Sequence, residues 1–123
     1  ISSLQTAEDV AAKAKTAGGR WLISSVLSPK GIGVLHVDRE QALLAETLHI
    51  EGKIPNGTGD MLTLRFAGGL VSGFGAEGAL ADATGATHTV ISKTMEWGGP
   101  ELAVAACSDL LANRHRTRLR LLP

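Results

Sequence analysis

A short glycine-rich segment holds the residues with the clearest chemistry in this sequence: Gly57-Thr58-Gly59-Asp60, followed at once by an apolar helical stretch from Met61. Glycines let the backbone turn tightly, and the first N–H groups of a helix lack partners and carry the positive end of its dipole. Such a helix start binds phosphate or another anion. A carboxylate beside that anion can take a proton from a hydroxyl group that attacks a phosphoryl group. The segment therefore predicts phosphoryl transfer with Asp60 as the general base.

A plainer interpretation of the same segment is a tight turn with an acidic residue in the first turn of a helix. That placement of Asp60 is favourable by roughly 0.3–1 kcal/mol through the helix dipole alone. Two better-known phosphate motifs do not fit. No Gly-Lys-Ser/Thr follows, so the segment is not a Walker A loop, and Leu62 stands where the dinucleotide fingerprint needs its third glycine.

The elements that must position this segment follow from the periodicity of the apolar residues. Residues 20–27 form a near-continuous apolar run, which is typical of a strand buried on both faces, as in a parallel sheet. The fold class is α/β, but the sheet supplies too few strands for its helices, so we expect more chain or a partner to complete it. The full set is a helix from a Thr6 cap to Gly18-Gly19, strands at 20–27, 32–37, 42–50 and 117–122, a hairpin connection at 38–40, and helices at 58–73, 76–95 and 100–113.

The glycine-rich segment and its surroundings resemble a known family. Asn56-Gly-Thr-Gly-Asp-Met-Leu-Thr63, followed by Phe66-Ala-Gly-Gly-Leu70, closely resembles the C-terminal signature of the ribokinase-like (PfkB) superfamily, and within it the pyridoxal kinases. The likeness extends over nearly all of residues 1–123. It implies the C-terminal portion of a three-layer α/β/α kinase domain with an incomplete sheet, whose N-terminal half is absent from this sequence.

The resemblance also implies roles for individual residues. Asp60 matches the catalytic base, which deprotonates the 5′-hydroxymethyl group of pyridoxal, pyridoxine or pyridoxamine in vitamin B6 salvage. The anion hole, whose backbone amides stabilise the γ-phosphoryl group during transfer, matches Gly57, Thr58 and Gly59. Arg65 departs from the family, which usually has an apolar or small residue there. We expect Arg65 either at the surface or against acidic groups from missing chain.

A serine pair, Ser24 and Ser25, matches a pair that lies near the ATP phosphates at the C-terminal end of a central strand. Ligands of open α/β sheets bind at such strand ends, although two small residues in a buried strand are the plainer interpretation. The implied cofactors are ATP, Mg²⁺ and often a monovalent cation near the anion hole. No metal ligand is evident beyond Asp60. The family also tends to form homodimers.

Two alternatives to the pyridoxal kinase prediction remain open. One is a non-catalytic fragment with a structural or interaction role, favoured by the opening at Ile1 and the incomplete sheet. The other is a different sugar or nucleoside kinase of the same superfamily. In either kinase interpretation we expect the isolated chain to be inactive, because the acceptor-binding wall belongs to the N-terminal half.

Composition excludes several other classes of function. The formal net charge of zero argues against a general nucleic-acid binder, and no apolar run approaches the roughly 20 residues of a membrane span. The single cysteine, Cys107, favours a reducing compartment, here the cytoplasm. Neither Cys107 nor the 4 histidines have metal-ligand spacing, so we expect structural roles for them. The arginines at 114, 116, 118 and 120 are typical of a solvated edge strand.

Overall fold

The computed structural model describes residues 6–28, 31–47, 57–98 and 119–122. These residues belong to two compact units, which are described separately below. The first unit comprises Ile1–His49 with Arg118–Pro123, and the second comprises Ile50–Thr117. The described elements are α1 (Ala7–Ala17), β1 (Trp21–Ser28), β2 (Gly31–Val37), β3 (Ala42–Thr47), α2 (Thr58–Val71), α3 (Ala76–Trp97) and β4 (Leu119–Leu122).

The first helix begins and ends where its sequence signals predict. Thr6 is the N-cap, and its side-chain oxygen accepts a hydrogen bond from the Asp9 N–H at 3.1 Å. Gly18 ends the helix with a φ of 80°, a backbone angle that glycine adopts without steric cost. The predicted α1 is therefore confirmed.

The sheet of the first unit has the order β1-β2-β3-β4, and every neighbouring pair is antiparallel. The predicted parallel placement of residues 20–27 is therefore wrong. Ser28 pairs with Gly31, so the connection between β1 and β2 is far too short for the crossover that a parallel pair needs. The sheet is open, with β1 and β4 as the edge strands among the described residues.

A β-bulge interrupts the pairing of β1 with β2. Ile23 pairs with Leu35, but the next pair is Val26 with Gly33. Two residues of β1 thus stand opposite one residue of β2, which turns Ile23 and Val26 towards the same face of the sheet. That face packs with α1 into a core formed by Ala7, Ala11, Ala14, Val26, Leu35, Val37, Ala42, Leu44 and Leu122.

The predicted hairpin connection at 38–40 is confirmed. Asp38 Oδ1 accepts hydrogen bonds from the N–H groups of Glu40 at 2.8 Å and Gln41 at 2.9 Å. These donors lower the pKa of the Asp38 carboxyl.

The edge strand β4 lies within the predicted strand 117–122, and its Arg120 Nε lies 3.4 Å from Glu46 Oε1. The other tail arginines lie outside the described residues.

The second unit contains α2 and α3, whose predicted positions at 58–73 and 76–95 are confirmed to within two residues. Small residues let the two helices approach closely. A Cβ added to Gly69 would lie 3.0 Å from the Ala79 Cβ and 3.2 Å from the Ala79 Cα. The predicted third helix at 100–113, and with it Cys107, lies outside the described residues.

An ion pair also joins the two helices. Arg65 Nε lies 2.9 Å from Asp82 Oδ2, and the Asp82 side chain is only 4% exposed. Arg65 is thus partly at the surface, and the acidic group that it meets within the described residues is Asp82 of α3. None of the described helices is both long and apolar enough to cross a membrane.

Candidate functional site

The start of α2 has an unusual cap. Gly57 occupies the N-cap position in the left-handed region, with φ 93° and ψ −1°. A residue with a Cβ adopts this conformation at a cost of roughly 1–2 kcal/mol, so glycine is the favoured residue here. The Gly57 carbonyl accepts the first intrahelical hydrogen bond, from the Met61 N–H at 3.0 Å. The local sequence thus produces a sharp entry into the helix.

The same cap leaves the first turn of α2 suited to an external anion. Gly57 has no side chain, and no N-cap side chain accepts a hydrogen bond from the helix start. Outside its own helical turn, a Cβ added to Gly59 would meet no atom of the described residues within 4 Å, so these residues leave open space beside the first turn. The helix dipole and the backbone N–H groups favour negative charge at this position. The predicted anion-hole role of Gly57, Thr58 and Gly59 stays a prediction, and this geometry is compatible with it.

Asp60 lies in the first turn of α2 with an exposed side chain. In the part of the chain that the structure describes, its carboxylate has neither a hydrogen bond nor an ion pair. A carboxylate in this position is accessible to a substrate hydroxyl and able to accept a proton from it. Its assignment as the catalytic base stays a prediction.

Ser24 and Ser25 form the bulge of β1, and both are exposed. β1 is an edge strand of the described sheet, so the predicted position of the pair in a central strand requires the additional chain that the incomplete sheet calls for, and it stays a prediction. Ser25 has a φ of 59°, the one positive φ of a non-glycine residue in the described chain. Such strain is retained mostly where the surrounding structure or a function requires it, and bulges often redirect side chains beside binding sites. The ATP-binding role of the serines stays a prediction.

The predicted site residues are divided between the two units. Ser24 and Ser25 belong to the first unit, whereas Gly57, Thr58, Gly59 and Asp60 belong to the second. Each group has an exposed polar or backbone surface and a left-handed residue, Ser25 in one and Gly57 in the other. The sequence predicts that residues 57–60 begin a helix, as the structure has them, but it does not predict the bulge at Ser24 and Ser25. Its signal was the Ser-Ser pair that interrupts an otherwise apolar strand.

Buried polar residues away from these groups have structural surroundings. His36 in β2 is fully buried, and burial is the main cause that lowers its pKa, with Arg20 adding to the effect and Asp38 opposing it. A structural role was predicted for it, and this position is compatible with that role. Within residues 6–28, 31–47, 57–98 and 119–122, no three His, Cys, Asp or Glu residues form a group that could hold a metal ion.

No protein-family model and no curated protein sequence matches this chain. Solved structures do match it. Pyridoxal kinase from Entamoeba histolytica matches with a TM-score of 0.74 and 18% identity, over 93% of this chain and 42% of that one. Pyridoxal kinase from Leishmania donovani, in complex with ADP and ginkgotoxin, matches with a TM-score of 0.72 and 22% identity, over 85% of this chain and 39% of that one.

Kinases of other substrates match as well. A protein assigned as a phosphomethylpyrimidine kinase from Bacteroides thetaiotaomicron has a TM-score of 0.68 and 21% identity, over 82% of this chain and 37% of that one. The chain thus spans about two fifths of the length of these neighbours, 42%, 39% and 37% respectively. Identities this low establish the fold alone. The chain has the ribokinase-like fold, of which it represents the C-terminal part.

Proposed function

We propose that the protein containing this chain transfers the γ-phosphoryl group of ATP to the 5′-hydroxyl of a vitamin B6 vitamer. The observation that carries the proposal is the start of α2, where a left-handed Gly57 cap precedes an exposed Asp60. The fold supports it, because the Leishmania donovani neighbours are pyridoxal kinases in complex with ADP and with pyridoxamine or pyridoxine.

In the proposed reaction, the Asp60 carboxylate takes the proton of the acceptor hydroxyl. The hydroxyl oxygen forms a bond to the γ-phosphorus, the bond from that phosphorus to the β–γ bridging oxygen breaks, and ADP leaves. The backbone N–H groups of Gly57, Thr58 and Gly59 donate to the oxygens of the group in transfer. General-base help contributes about 10²–10⁴ in rate. Preorganised donors contribute about 10²–10³ for each donor lost in comparable sites.

The serine pair has a supporting role in the proposal. The hydroxyls of Ser24 and Ser25 donate hydrogen bonds to the phosphates of ATP. Their support is the bulge, which leaves both side chains exposed, together with the left-handed backbone of Ser25. A strained serine conformation in an edge strand is retained more readily if its hydroxyl binds a ligand.

The proposed cofactor Mg²⁺ fits the donor set at the start of α2. Mg²⁺ in kinase sites is held by one or two carboxylates and by the nucleotide phosphates, so it does not need a cage of protein ligands. Asp60 supplies one exposed carboxylate. When bound, the ion neutralises charge on the phosphates. A monovalent cation beside the anion hole belongs to the same proposal.

The acceptor-binding wall is proposed to belong to an N-terminal half of the same enzyme, because this chain matches 42% of the Entamoeba histolytica kinase. A homodimer is also part of the proposal. We expect the 123 residues alone to show no turnover unless that half is supplied. Measured turnover by the isolated chain would contradict this expectation.

A second acceptor class follows from the neighbours. The match to a protein assigned as a phosphomethylpyrimidine kinase has an identity of 21%, close to the 22% of the pyridoxal kinase from Leishmania donovani. A panel assay of the natural full-length protein separates the classes. ADP release is measured with pyridoxal, pyridoxine, pyridoxamine, a phosphomethylpyrimidine and a sugar.

The proposal expects the highest kcat/KM with one of the three vitamers. A preference for the pyrimidine or the sugar assigns the same chemistry to another acceptor. No ADP release with any acceptor would leave the non-catalytic alternative in its place.

A further inference from the structure

One face of α2 is apolar and exposed. Leu64 is 73% exposed and Val71 is 89% exposed, and Ala67 and Gly68 between them are exposed as well. The buried residues of the helix, which are Leu62, Phe66 and Gly69, lie on its other side. The exposed residues recur at the three- and four-residue spacing of one helix face. Leu64, Ala67, Gly68 and Val71 are called the outer stripe below.

The outer stripe lacks the charges that a solvated helix face normally carries. Between Asp60 and Glu77 the only charged residue is Arg65, and Arg65 is paired with Asp82. The middle of the stripe is a shallow depression in the helix surface, because Ala67 and Gly68 have little or no side chain. Outside its own helical turn, a Cβ added to Gly68 would meet no atom of the part of the chain that the structure describes within 4 Å. Large side chains at both ends and a shallow centre are suited to the packing of another helix across the stripe.

Asp60 lies on the same face of α2. It precedes Leu64 by four residues and Val71 by eleven, so the three positions are aligned along the helix. Whatever covers the outer stripe must therefore pass close to the proposed catalytic base. A covering element in that position is well placed to bring the acceptor hydroxyl to Asp60.

We propose that the outer stripe is the docking surface for an apolar helix face from the acceptor-binding half of the same enzyme. This inference rests on the proposed function. The length of the neighbours supports the occupant, since the matched region is 42% of the chain in the Entamoeba histolytica kinase. A second copy of this chain is the weaker occupant. Side chains from one helix stripe supply much less than the ~800 Å² per partner of a standard interface, whereas a covalently linked segment needs no such area.

The test is thiol labelling of the natural full-length protein in a background where Cys107 and every cysteine of the N-terminal half are replaced by serine. Single cysteines are introduced at the stripe by Leu64→Cys and Val71→Cys. The control is Glu96→Cys, which replaces an exposed residue of α3 that lies outside the stripe. Each labelling rate is divided by the rate of the same variant in denaturant, which removes differences in intrinsic reactivity.

The proposal predicts normalised rates at positions 64 and 71 at least tenfold below that of the control. Equal rates at the three positions would overturn it. Protection in a protein whose mass is two copies of this 123-residue chain would also overturn it, because the second copy would then be the occupant.

The labelling result and the kinase assay fail independently of each other. Protection without phosphorylation of any acceptor supports the docking surface and removes the proposed function. Phosphorylation that depends on Asp60, with rapid labelling at both stripe positions, supports the proposed function and removes the docking surface.

Discussion

The two units reach a left-handed backbone at their candidate phosphate contacts by different routes. In the first unit the left-handed residue is Ser25, with a φ of 59°, and a side chain there costs roughly 1–2 kcal/mol. In the second unit it is Gly57, with a φ of 93°, which glycine adopts without that cost. The comparison indicates that the backbone at Ser25 is strained and that a ligand bound by its hydroxyl would offset the strain. At Gly57 the same backbone region is adopted without strain.

The interactions that stabilise each unit internally also differ. The first unit has a ladder of antiparallel strands with large buried side chains such as Leu35 and Leu44. The second has small residues in close approach at Gly69 and Ala79, together with the Arg65–Asp82 ion pair. A sheet distributes its stability over many contacts. The helix pair should therefore be the more sensitive to single substitutions.

The largest stability effect is expected from Arg65→Met. It leaves the Asp82 carboxylate buried without its Arg65 partner and should lower the free energy of unfolding by about 2 kcal/mol, less than the roughly 3–5 kcal/mol of a fully buried pair because Arg65 is partly exposed. Urea denaturation of the full-length protein measures the change. The control is the double variant Arg65→Met/Asp82→Leu, which should recover part of the loss. Equal stability of the single variant and the parent would contradict a role for the pair.

Two glycines of α2 sharpen the comparison within one helix. Gly69→Ala places a methyl group 3.0 Å from the Ala79 Cβ and should destabilise the protein by about 1–2 kcal/mol. In Gly59→Ala the new methyl has no atom of another described element within 4 Å, so the substitution should raise stability by up to about 1 kcal/mol through helix propensity.

Activity should respond in the opposite order. The methyl of Gly59→Ala enters the space proposed for the phosphoryl group, so we expect kcat/KM for ATP to fall at least tenfold in a protein that is no less stable. Thermal unfolding and steady-state kinetics on the two variants measure both quantities. Unchanged kinetics for Gly59→Ala would show that the phosphoryl group does not occupy the open space beside Gly59.

How far the sequence predicted the fold depends on the range of the interactions involved. The Thr6 cap and the glycine at position 18 are local signals, and they located α1 correctly. The apolar run at 20–27 does not by itself distinguish a parallel strand from a bulged antiparallel strand, because the two have similar composition. The short connection from Ser28 to Gly31 was the better signal, since it requires antiparallel neighbours.

The candidate site was predictable where its residues are adjacent in the sequence, whereas contacts between separate elements were not. Gly57 and Asp60 belong to one continuous motif, so their position at the start of α2 followed from the sequence. The Arg65–Asp82 pair joins residues of different helices. Its formation depends on how the helices rotate against each other, which the spacing of apolar residues does not define closely enough.

A smaller effect is expected at the bulge. Ser25→Gly should raise the free energy of unfolding by about 0.5–1 kcal/mol, the relief of left-handed strain less the greater entropy of the unfolded glycine chain. Ser25→Ala keeps the strain and is the matched control. If the hydroxyl binds ATP, both variants should raise the KM for ATP, and only the glycine variant should be more stable. A KM unchanged in both would exclude Ser25 from the nucleotide site.

The smallest effect concerns pH. The pKa of His36 is lowered below its ordinary 6.5 by burial, so the unfolded chain binds a proton more readily than the folded one. Protonation of His36 thus opposes folding. The free energy of unfolding is therefore not reduced by His36 above pH 6.5, and it should decline as the pH falls below that value towards the lowered pKa. Unfolding midpoints at a series of pH values measure the decline. His36→Leu should flatten this part of the profile, and an unchanged slope in that variant would assign it to other groups.

The central claim is that Asp60 acts as the base beside a phosphoryl group held at the start of α2. Its most direct test is Asp60→Asn in the full-length protein, with Glu77→Gln, an exposed acid in the first turn of α3, as the control. We predict that Asp60→Asn lowers kcat by about 10²–10⁴ while the Kd for ATP measured without Mg²⁺ stays unchanged, and that Glu77→Gln alters neither. A kcat of Asp60→Asn within a few fold of the parent would contradict the account.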